Sequence, residues 1–134
     1  MIKSENVMAD ITELLSRYFE GLYQADTGVL ADVFHPDARY VNMVEGDYMN
    51  KSLAEYFAAV DKRVPPAARG DARCEKVISI ELGGDRMSFV KASMTMMGRE
   101  YLDFLTLTYD QYGWRIMSKV FTYLSLEETV KEEC

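Results

Sequence analysis

Residues that bind metal ions or form disulfides are scarce in this chain. Its 134 residues include one histidine, His35, and two cysteines, Cys74 and Cys134. Two cysteines are too few for a disulfide framework or a four-cysteine zinc site, and a single histidine offers no pair of ligands at helical spacing. We therefore expect no bound metal ion and no cofactor.

Long apolar runs and basic clusters are missing as well. No segment approaches the roughly 18 apolar residues of a membrane-spanning helix, and residues 1–10 lack the apolar stretch of a signal peptide. The net charge is −7, and the 15 lysines and arginines are scattered along the chain. A nucleic-acid surface needs such side chains in one basic stripe. These absences predict a cytoplasmic protein that has neither a membrane nor a nucleic acid as its partner.

The composition is that of an ordinary globular protein, with 49% hydrophobic and 28% charged residues. A chain of this length usually builds a single core. We therefore expect residues 1–134 to form one domain.

The N-terminal half has the spacing of amphipathic helices. Apolar residues recur every three or four positions from Ser4 to Gln24, which predicts a first helix there. Thr27 can cap a short second helix that runs to Phe34, and Asn50 or Ser52 can cap a third. The other elements expected in this half are a turn at residues 35–37 and a strand at residues 38–44.

The C-terminal half is rich in β-branched and aromatic residues, and turn residues divide it into four strands. No helix joins neighbouring strands, so the pattern indicates an α+β fold rather than a doubly wound sheet. Strands of about ten residues must coil to cover three helices. We therefore expect three N-terminal helices packed on a strongly curved, mainly antiparallel sheet that forms a cone with a pocket. The four strands are expected at Arg73–Leu82, Met87–Met97, Tyr101–Tyr109 and Trp114–Leu124.

Strand alternation predicts which side chains enter the cone, because successive residues point to opposite faces of a sheet. On the last strand, Arg115 and Lys119 share a face, and we expect it to be the outer face. On the strand before it, Asp103 shares a face with Leu105 and Leu107, the more apolar set, and is expected to point inward. The residues of the last strand that would then point inward are Trp114, Ile116, Ser118 and Val120.

The outer face of the sheet is expected to be apolar too. It would carry Leu102, Phe104, Met117 and Phe121, which is more apolar area than a soluble monomer comfortably exposes. Because helices already cover the inner face, this pattern predicts a homodimer that forms through the outer face.

Three stretches of the chain resemble the nuclear transport factor 2-like family, whose fold is a cystatin-like α+β cone. Residues 17–26 (RYFEGLYQAD) are similar to the end of that family's first helix, and residues 33–40 (VFHPDARY) to its corner between helix and strand. Residues 113–116 (GWRI) are similar to its last hairpin. Residues 101–107 and 114–121 are most similar to the subfamily described as putative lumazine-binding. The chain as a whole also resembles the polyketide cyclase-like subfamily.

The resemblance implies a fold and leaves the function open, because this superfamily contains isomerases, dehydratases, epoxide hydrolases, polyketide cyclases and association modules. Three hypotheses follow. The protein binds a small apolar or aromatic ligand in an apolar pocket, or it is an isomerase, dehydratase or cyclase, or it is a dimeric protein-association module. A pocket of about 300 Å³ or more would separate the first two hypotheses from the third.

Three polar side chains are expected to meet inside the cone. Tyr18 lies on the buried face of the first helix, Asn42 is in phase with Tyr40 on the first strand, and Asp103 points inward. Trp114 and Tyr40 would form the floor of the pocket. The predicted ligand-binding residues are thus Tyr18, Tyr40, Asn42, Asp103 and Trp114.

The ketosteroid isomerase branch of the family implies catalytic roles for two of these residues. Its oxyanion-binding tyrosine follows an arginine, as Tyr18 follows Arg17, and its protonated acid lies on the same face as Asp103. Its general base corresponds to Asn42, and an amide cannot abstract a proton. An enzyme would therefore use Tyr18 and Asp103 to stabilise an enolate-like oxygen. Other candidates for the base are His35, Glu45 and Asp47, which lie in turns where a structural or solvated role is the commoner one.

Overall fold

Three helices and six strands are present in residues 4–126, the part of the chain that this computed structural model describes. The helices are α1 (Ser4–Gln24), α2 (Thr27–Ala31) and α3 (Leu53–Asp61). The strands are β1 (Phe34–Asn42), β2 (Met49–Ser52), β3 (Cys74–Gly83), β4 (Met87–Met96), β5 (Arg99–Asp110) and β6 (Gly113–Ser125).

Helix α1 has the bounds that its apolar spacing predicted. Gly21 marks the close approach of α1 to α2, since a Cβ atom there would lie 2.6 Å from Cδ2 of Leu30. Only glycine leaves room for that approach. The buried residues of α1 are Val7, Ile11, Leu14, Leu15, Tyr18, Phe19 and Leu22.

The caps of the two shorter helices are side chains that bond to backbone N–H groups. Asp26, and not Thr27 as predicted, caps α2 by accepting the N–H of Val29 at 3.1 Å. Ser52 caps α3, as one of the two predicted alternatives. The backbone N–H of Ser52 also donates to the Glu55 carboxylate at 2.9 Å, which completes a capping box.

The strands form one open, curved sheet in the order β2-β1-β6-β5-β4-β3. All neighbours are antiparallel except β1 and β6. The turn predicted at residues 35–37 is instead part of β1, whose pairing with β6 is irregular between Phe34 and Arg39. Pro36, which has no N–H to donate, lies in that irregular stretch. Strand β2 was not predicted, and its four residues pair only with β1.

A β-bulge interrupts β6 opposite β5. Ile116 pairs with Leu107, and Ser118 pairs with Thr106, so Met117 is an extra residue between two consecutive pairs. An extra residue of this kind shifts the alternation of every side chain that follows it.

The bulge corrects the predicted faces of the last strand. Lys119 and Phe121, which were expected to point outward, are 3% and 4% exposed. Val120, which was expected to point inward, is 37% exposed, and Ser118 now lies outward with it. The predicted alternation holds before the bulge, where Trp114 and Ile116 are buried, and is wrong after it.

Strand β5 keeps the predicted alternation. Asp103, Leu105 and Leu107 are buried, whereas Phe104 is 42% exposed on the outer face.

None of the helices in residues 4–126 combines the length and the hydropathy needed to cross a membrane. Cys74 begins β3 and is not a free thiol, and Cys134 lies outside the described residues.

Candidate functional site

Tyr18 of α1 and Asp103 of β5 meet in the interior of the cone. The Tyr18 hydroxyl donates a 2.5 Å hydrogen bond to Oδ2 of Asp103, and the two residues are 0% and 1% exposed. Burial and then the negative charge of Asp103 raise the pKa of Tyr18 well above its ordinary value. Tyr18 therefore acts as a hydrogen-bond donor and Asp103 as its acceptor.

Lys119 lies beside this pair, because the bulge turns it inward. Its Nζ is 3.9 Å from Oδ2 of Asp103. The same ammonium lies 5.1–5.8 Å from the centroids of four aromatic rings, whose π faces stabilise a cation at such distances. These rings, which we call the aromatic chamber, belong to Tyr18, Tyr40, Tyr56 and Phe121.

Two rings of the aromatic chamber stack on each other. Tyr40 of β1 and Tyr56 of α3 have centroids 4.1 Å apart and ring planes 17° apart. Burial raises the pKa of Tyr40 to about 12, and the nearby Lys119 ammonium opposes part of that rise. Tyr40 is paired with Lys119 in the register of β1 and β6, which places it beside the ammonium of Lys119.

Two buried polar atoms at the chamber have no hydrogen-bond partner among the described residues. They are Oδ1 of Asp103 and the hydroxyl oxygen of Tyr56. Buried polar atoms in folded proteins are nearly always hydrogen-bonded. Together with the ammonium of Lys119, these atoms are the groups with which the chamber can bind a polar ligand.

Asn42 is buried, but its amide is engaged in the turn between β1 and β2. Its Nδ2 donates to Oδ2 of Asp47 at 3.0 Å, and its Oδ1 accepts the backbone N–H of Val44 at 2.9 Å. The Tyr123 hydroxyl donates to the same oxygen of Asp47 at 2.6 Å, and this hydrogen bond lowers the pKa of Asp47. The structure therefore gives the Asn42 amide and Asp47 a role in this turn instead of bringing them to Asp103.

His35 and Trp114 lie away from the chamber. Nδ1 of His35 accepts the backbone N–H of Asp37 at 3.0 Å, so Nε2 carries the proton and donates to Asp110 at 2.9 Å. Both ring nitrogens are thus engaged at the start of β1. Trp114 is buried on the inner face, but it is five residues before Lys119, roughly 15 Å along a strand. Glu45 is exposed.

Four cavities on the described residues are lined by side chains other than Tyr18, Tyr56, Asp103 and Lys119. The largest of these four, about 540 Å³, lies beside Leu102 on the outer side of the sheet. None of these four cavities is the apolar pocket expected inside the cone, beside Tyr18 and Asp103. No group of three or more His, Cys, Asp or Glu side chains placed to hold a metal ion occurs within residues 4–126.

Lys119 is the residue of this site that reasoning from the sequence placed on the wrong face. A signal for its true position exists in the spacing of β6. Ile116 and Phe121 are both large and apolar, yet they are five residues apart, an odd interval that strict alternation does not allow on one face. An odd interval within a strand indicates a bulge.

The fold matches solved structures of nuclear transport factor 2-like proteins. One of unknown function from Silicibacter pomeroyi is 21% identical, with a TM-score of 0.77 over 92% of this chain and 100% of that one. Another of unknown function from Shewanella baltica is 19% identical, with a TM-score of 0.80 over 92% and 98%. A domain with a cystatin-like fold from Nostoc punctiforme is 15% identical, with a TM-score of 0.71 over 90% and 78%. At these identities the likeness shows the fold alone.

The family follows from the sequence match. The model of the family described as "Putative lumazine-binding" matches residues 6–122, so the chain belongs to this family. No protein of curated function matches the chain.

Proposed function

We propose that the protein binds a small aromatic molecule in the aromatic chamber, at the Tyr18–Asp103 pair. The observation that carries this proposal is the Asp103 carboxylate, which is 1% exposed and has one oxygen without a partner among the described residues. Burying a carboxylate is costly unless it is paired and hydrogen-bonded. Apolar side chains would serve stability as well or better at such a position. A half-satisfied buried carboxylate therefore suits the binding of a ligand donor.

Binding requires the chamber to open. A planar ligand would take the place of the Tyr56 ring against Tyr40, where the two rings are now 4.1 Å apart. Tyr56 belongs to α3, a helix of nine residues at the β2 edge of the sheet. Because small-molecule sites enclose about 300 Å³ or more, an outward shift of α3 is part of the proposal.

The family description supports a small-molecule ligand, since it names lumazine, a planar bicyclic compound. That description is a property of the family, and we use lumazine here as a probe. The aromatic walls of the chamber favour a flat ring, because offset stacking on tyrosine stabilises planar ligands.

An isomerase, dehydratase or cyclase that uses the same site is the alternative. The adjacency of Tyr18 and Asp103 supports a shared role for them at a substrate oxygen. Two observations favour binding over catalysis. Tyr18 donates its proton to Asp103 and not toward open space, and the amide at the position of the expected base, Asn42, is engaged in a turn.

The test is a titration with lumazine and with naphthalene, followed by NMR of the methionine methyl groups. Met94 is 1% exposed on the inner face, and Met43 is 57% exposed beside an outer cavity of about 230 Å³. We expect a probe to shift the Met94 signal and leave that of Met43 unchanged. Asp103→Asn should weaken lumazine binding about tenfold or more, as the loss of a charged hydrogen bond implies. Asp85→Asn, in an exposed turn, is the matched control.

Shifts confined to Met43 would place the ligand in the outer cavity and contradict the proposal. Turnover of an added β,γ-unsaturated ketone, abolished in Asp103→Asn, would favour the enzyme instead.

We also propose a homodimer through the outer face of the sheet. Phe89, Phe104 and Val120 are 36–42% exposed there, and all but one of the side chains that line the cavity beside β5, β6 and Met43 are apolar. Phe104→Lys places a charge at the centre of this face and should yield monomers, whereas Tyr112→Lys, at an exposed turn, should not. A monomer mass for the unmodified protein in light scattering at micromolar concentration would contradict the dimer. A dimer that binds neither probe would support the association module.

A further inference from the structure

Lys119 is the charged group of the aromatic chamber to which the proposed function assigns no role. Lysine is almost never fully buried unless it is paired, and this lysine is 3% exposed. We propose that Lys119 contacts the ligand and, with Asp103 and Tyr56, selects planar compounds that carry an oxygen acceptor beside an N–H or O–H donor on one edge. Lactams have such an edge, because their N–H and C=O groups are adjacent and free. This inference rests on the proposed binding of a ligand in the chamber.

The ammonium of Lys119 has unused hydrogen-bonding capacity. It carries three donors, and its approach to Asp103 is 3.9 Å, longer than the roughly 3.2 Å limit for an N–H···O hydrogen bond. The oxygen that it faces already accepts the Tyr18 hydroxyl at 2.5 Å. Four π faces also lie within 5.8 Å of the ammonium, and they attract a cation but fix no direction for its N–H bonds. A ligand oxygen is the partner that this ammonium lacks within the described residues.

Asp103 and Tyr56 supply the complementary groups. Oδ1 of Asp103 is an acceptor and the Tyr56 hydroxyl is a donor, and neither has a partner among residues 4–126. A ligand that offers a donor to Oδ1 and an acceptor to Lys119 and Tyr56 satisfies all three groups. A hydrocarbon satisfies none of them. An organic cation is repelled by the ammonium of Lys119.

The alternative is that Lys119 only balances the charge of Asp103. The two cases differ in how ligand preference depends on this lysine. If it is only a counter-ion, the preference among ligands of one size is set by the aromatic rings and survives its replacement. If it contacts the ligand, the preference for the donor–acceptor edge disappears with it.

The test uses three planar probes of similar size on the full chain. 2-Quinolone has the donor–acceptor edge, N-methyl-2-quinolone lacks the donor, and naphthalene lacks both groups. Calorimetry measures affinity. The methyl signal of Met94 reports occupancy of the chamber, because Met94 is buried on the inner face two residues from Ala92, the register partner of Asp103. The unmodified protein should bind 2-quinolone at least about tenfold more tightly than either other probe, since a site built for hydrogen bonds rejects analogues that leave its polar groups unpaired.

Three lysine variants test whether the preference for 2-quinolone depends on Lys119. Lys119→Met should abolish it, so that the three probes bind with similar affinity, and Lys119→Arg should retain most of it. Lys91→Met is the matched control, because Lys91 lies over the ring of Phe104 on the outer face, 5.6 Å from its centroid. Circular dichroism establishes that each variant is folded. If Lys119→Met does not fold, the three probes in the unmodified protein still test the inference, because equal affinities for them would overturn it.

The outcomes separate this inference from the proposed function. Equal affinities for the three probes, with Met94 shifted, overturn the inference and leave the proposed function intact. An unchanged preference in folded Lys119→Met does the same. If no probe shifts Met94, the proposed function fails and the inference fails with it.

Discussion

Replacing Asp103 with asparagine should destabilise the protein strongly. In the unmodified protein, Nζ of Lys119 lies 3.9 Å from the Asp103 carboxylate. The substitution keeps the shape of the side chain at position 103 but leaves this ammonium without a counter-charge. Removing one partner of a buried ion pair costs about 3–5 kcal/mol. Since unfolding entropy is about 2.1 cal/mol/K per residue, 134 residues give about 0.28 kcal/mol/K, and the Tm should fall by roughly 10–18 °C.

Urea unfolding followed by circular dichroism measures this loss, and calorimetry checks the shift in Tm. Asp85→Asn in the exposed turn between β3 and β4 serves as the control and should change stability by no more than about 0.5 kcal/mol. The double variant Asp103→Leu with Lys119→Met should recover most of the loss, because apolar residues can replace a buried pair at little cost. A loss below about 1 kcal/mol for Asp103→Asn, the range of surface pairs, would refute the reasoning.

Three further predictions concern single positions. Gly21→Ala should destabilise by about 1–3 kcal/mol in urea unfolding, since its Cβ would lie 2.6 Å from Leu30, and an unchanged midpoint would contradict the close approach of α1 to α2. The pKa of Tyr40 is raised to about 12, so its contribution to stability is present below the ordinary pKa near 10 and is lost as pH rises toward 12. Phenolate absorbance should show this late titration, and Tyr40→Phe should remove it. Tyr123→Phe should return the lowered pKa of Asp47 toward its ordinary value near 3.9, and an NMR titration of the carboxyl carbon that shows no rise would contradict this. The stability that depends on this hydrogen bond is present above the ordinary pKa and is lost as pH falls through the lowered one.

The helices and most strands could be predicted because each leaves its own period in the sequence. The apolar spacing of α1 and the turn residues between β3, β4, β5 and β6 are local signals. The predictions that were wrong concern two kinds of position: those where adjacent residues compete to cap a helix, and those where pairing with another strand sets the bounds of a strand. Asp26 displaces Thr27 as the cap of α2, since both are good caps and one residue decides between them. Strand β1 begins before Pro36 because pairing with β6 continues past the proline.

Part of the candidate site could be predicted for the same reason. The helical spacing of α1 places Tyr18 inward, and the strand alternation of β5 places Asp103 inward. Their contact could therefore be predicted from the pattern of each element taken separately. The position of Asn42 on the inner face was also predictable. The engagement of its amide with Asp47 was not, because that hydrogen bond depends on how the following turn closes.

The sequence by itself determined the α+β class, the buried face of α1 and the inward face of β5, because each rests on a period that one element imposes on its own residues. Only the tertiary structure decided that Lys119 enters the aromatic chamber. The bulge at Met117 arises from the register of β6 against β5, while β6 also pairs with β1 on its other edge. Registers are set by the packing of several strands at once, so the odd interval between Ile116 and Phe121 indicates a bulge but leaves its position, and hence the face of Lys119, open. The chemistry of this interior therefore depends on one extra residue in β6.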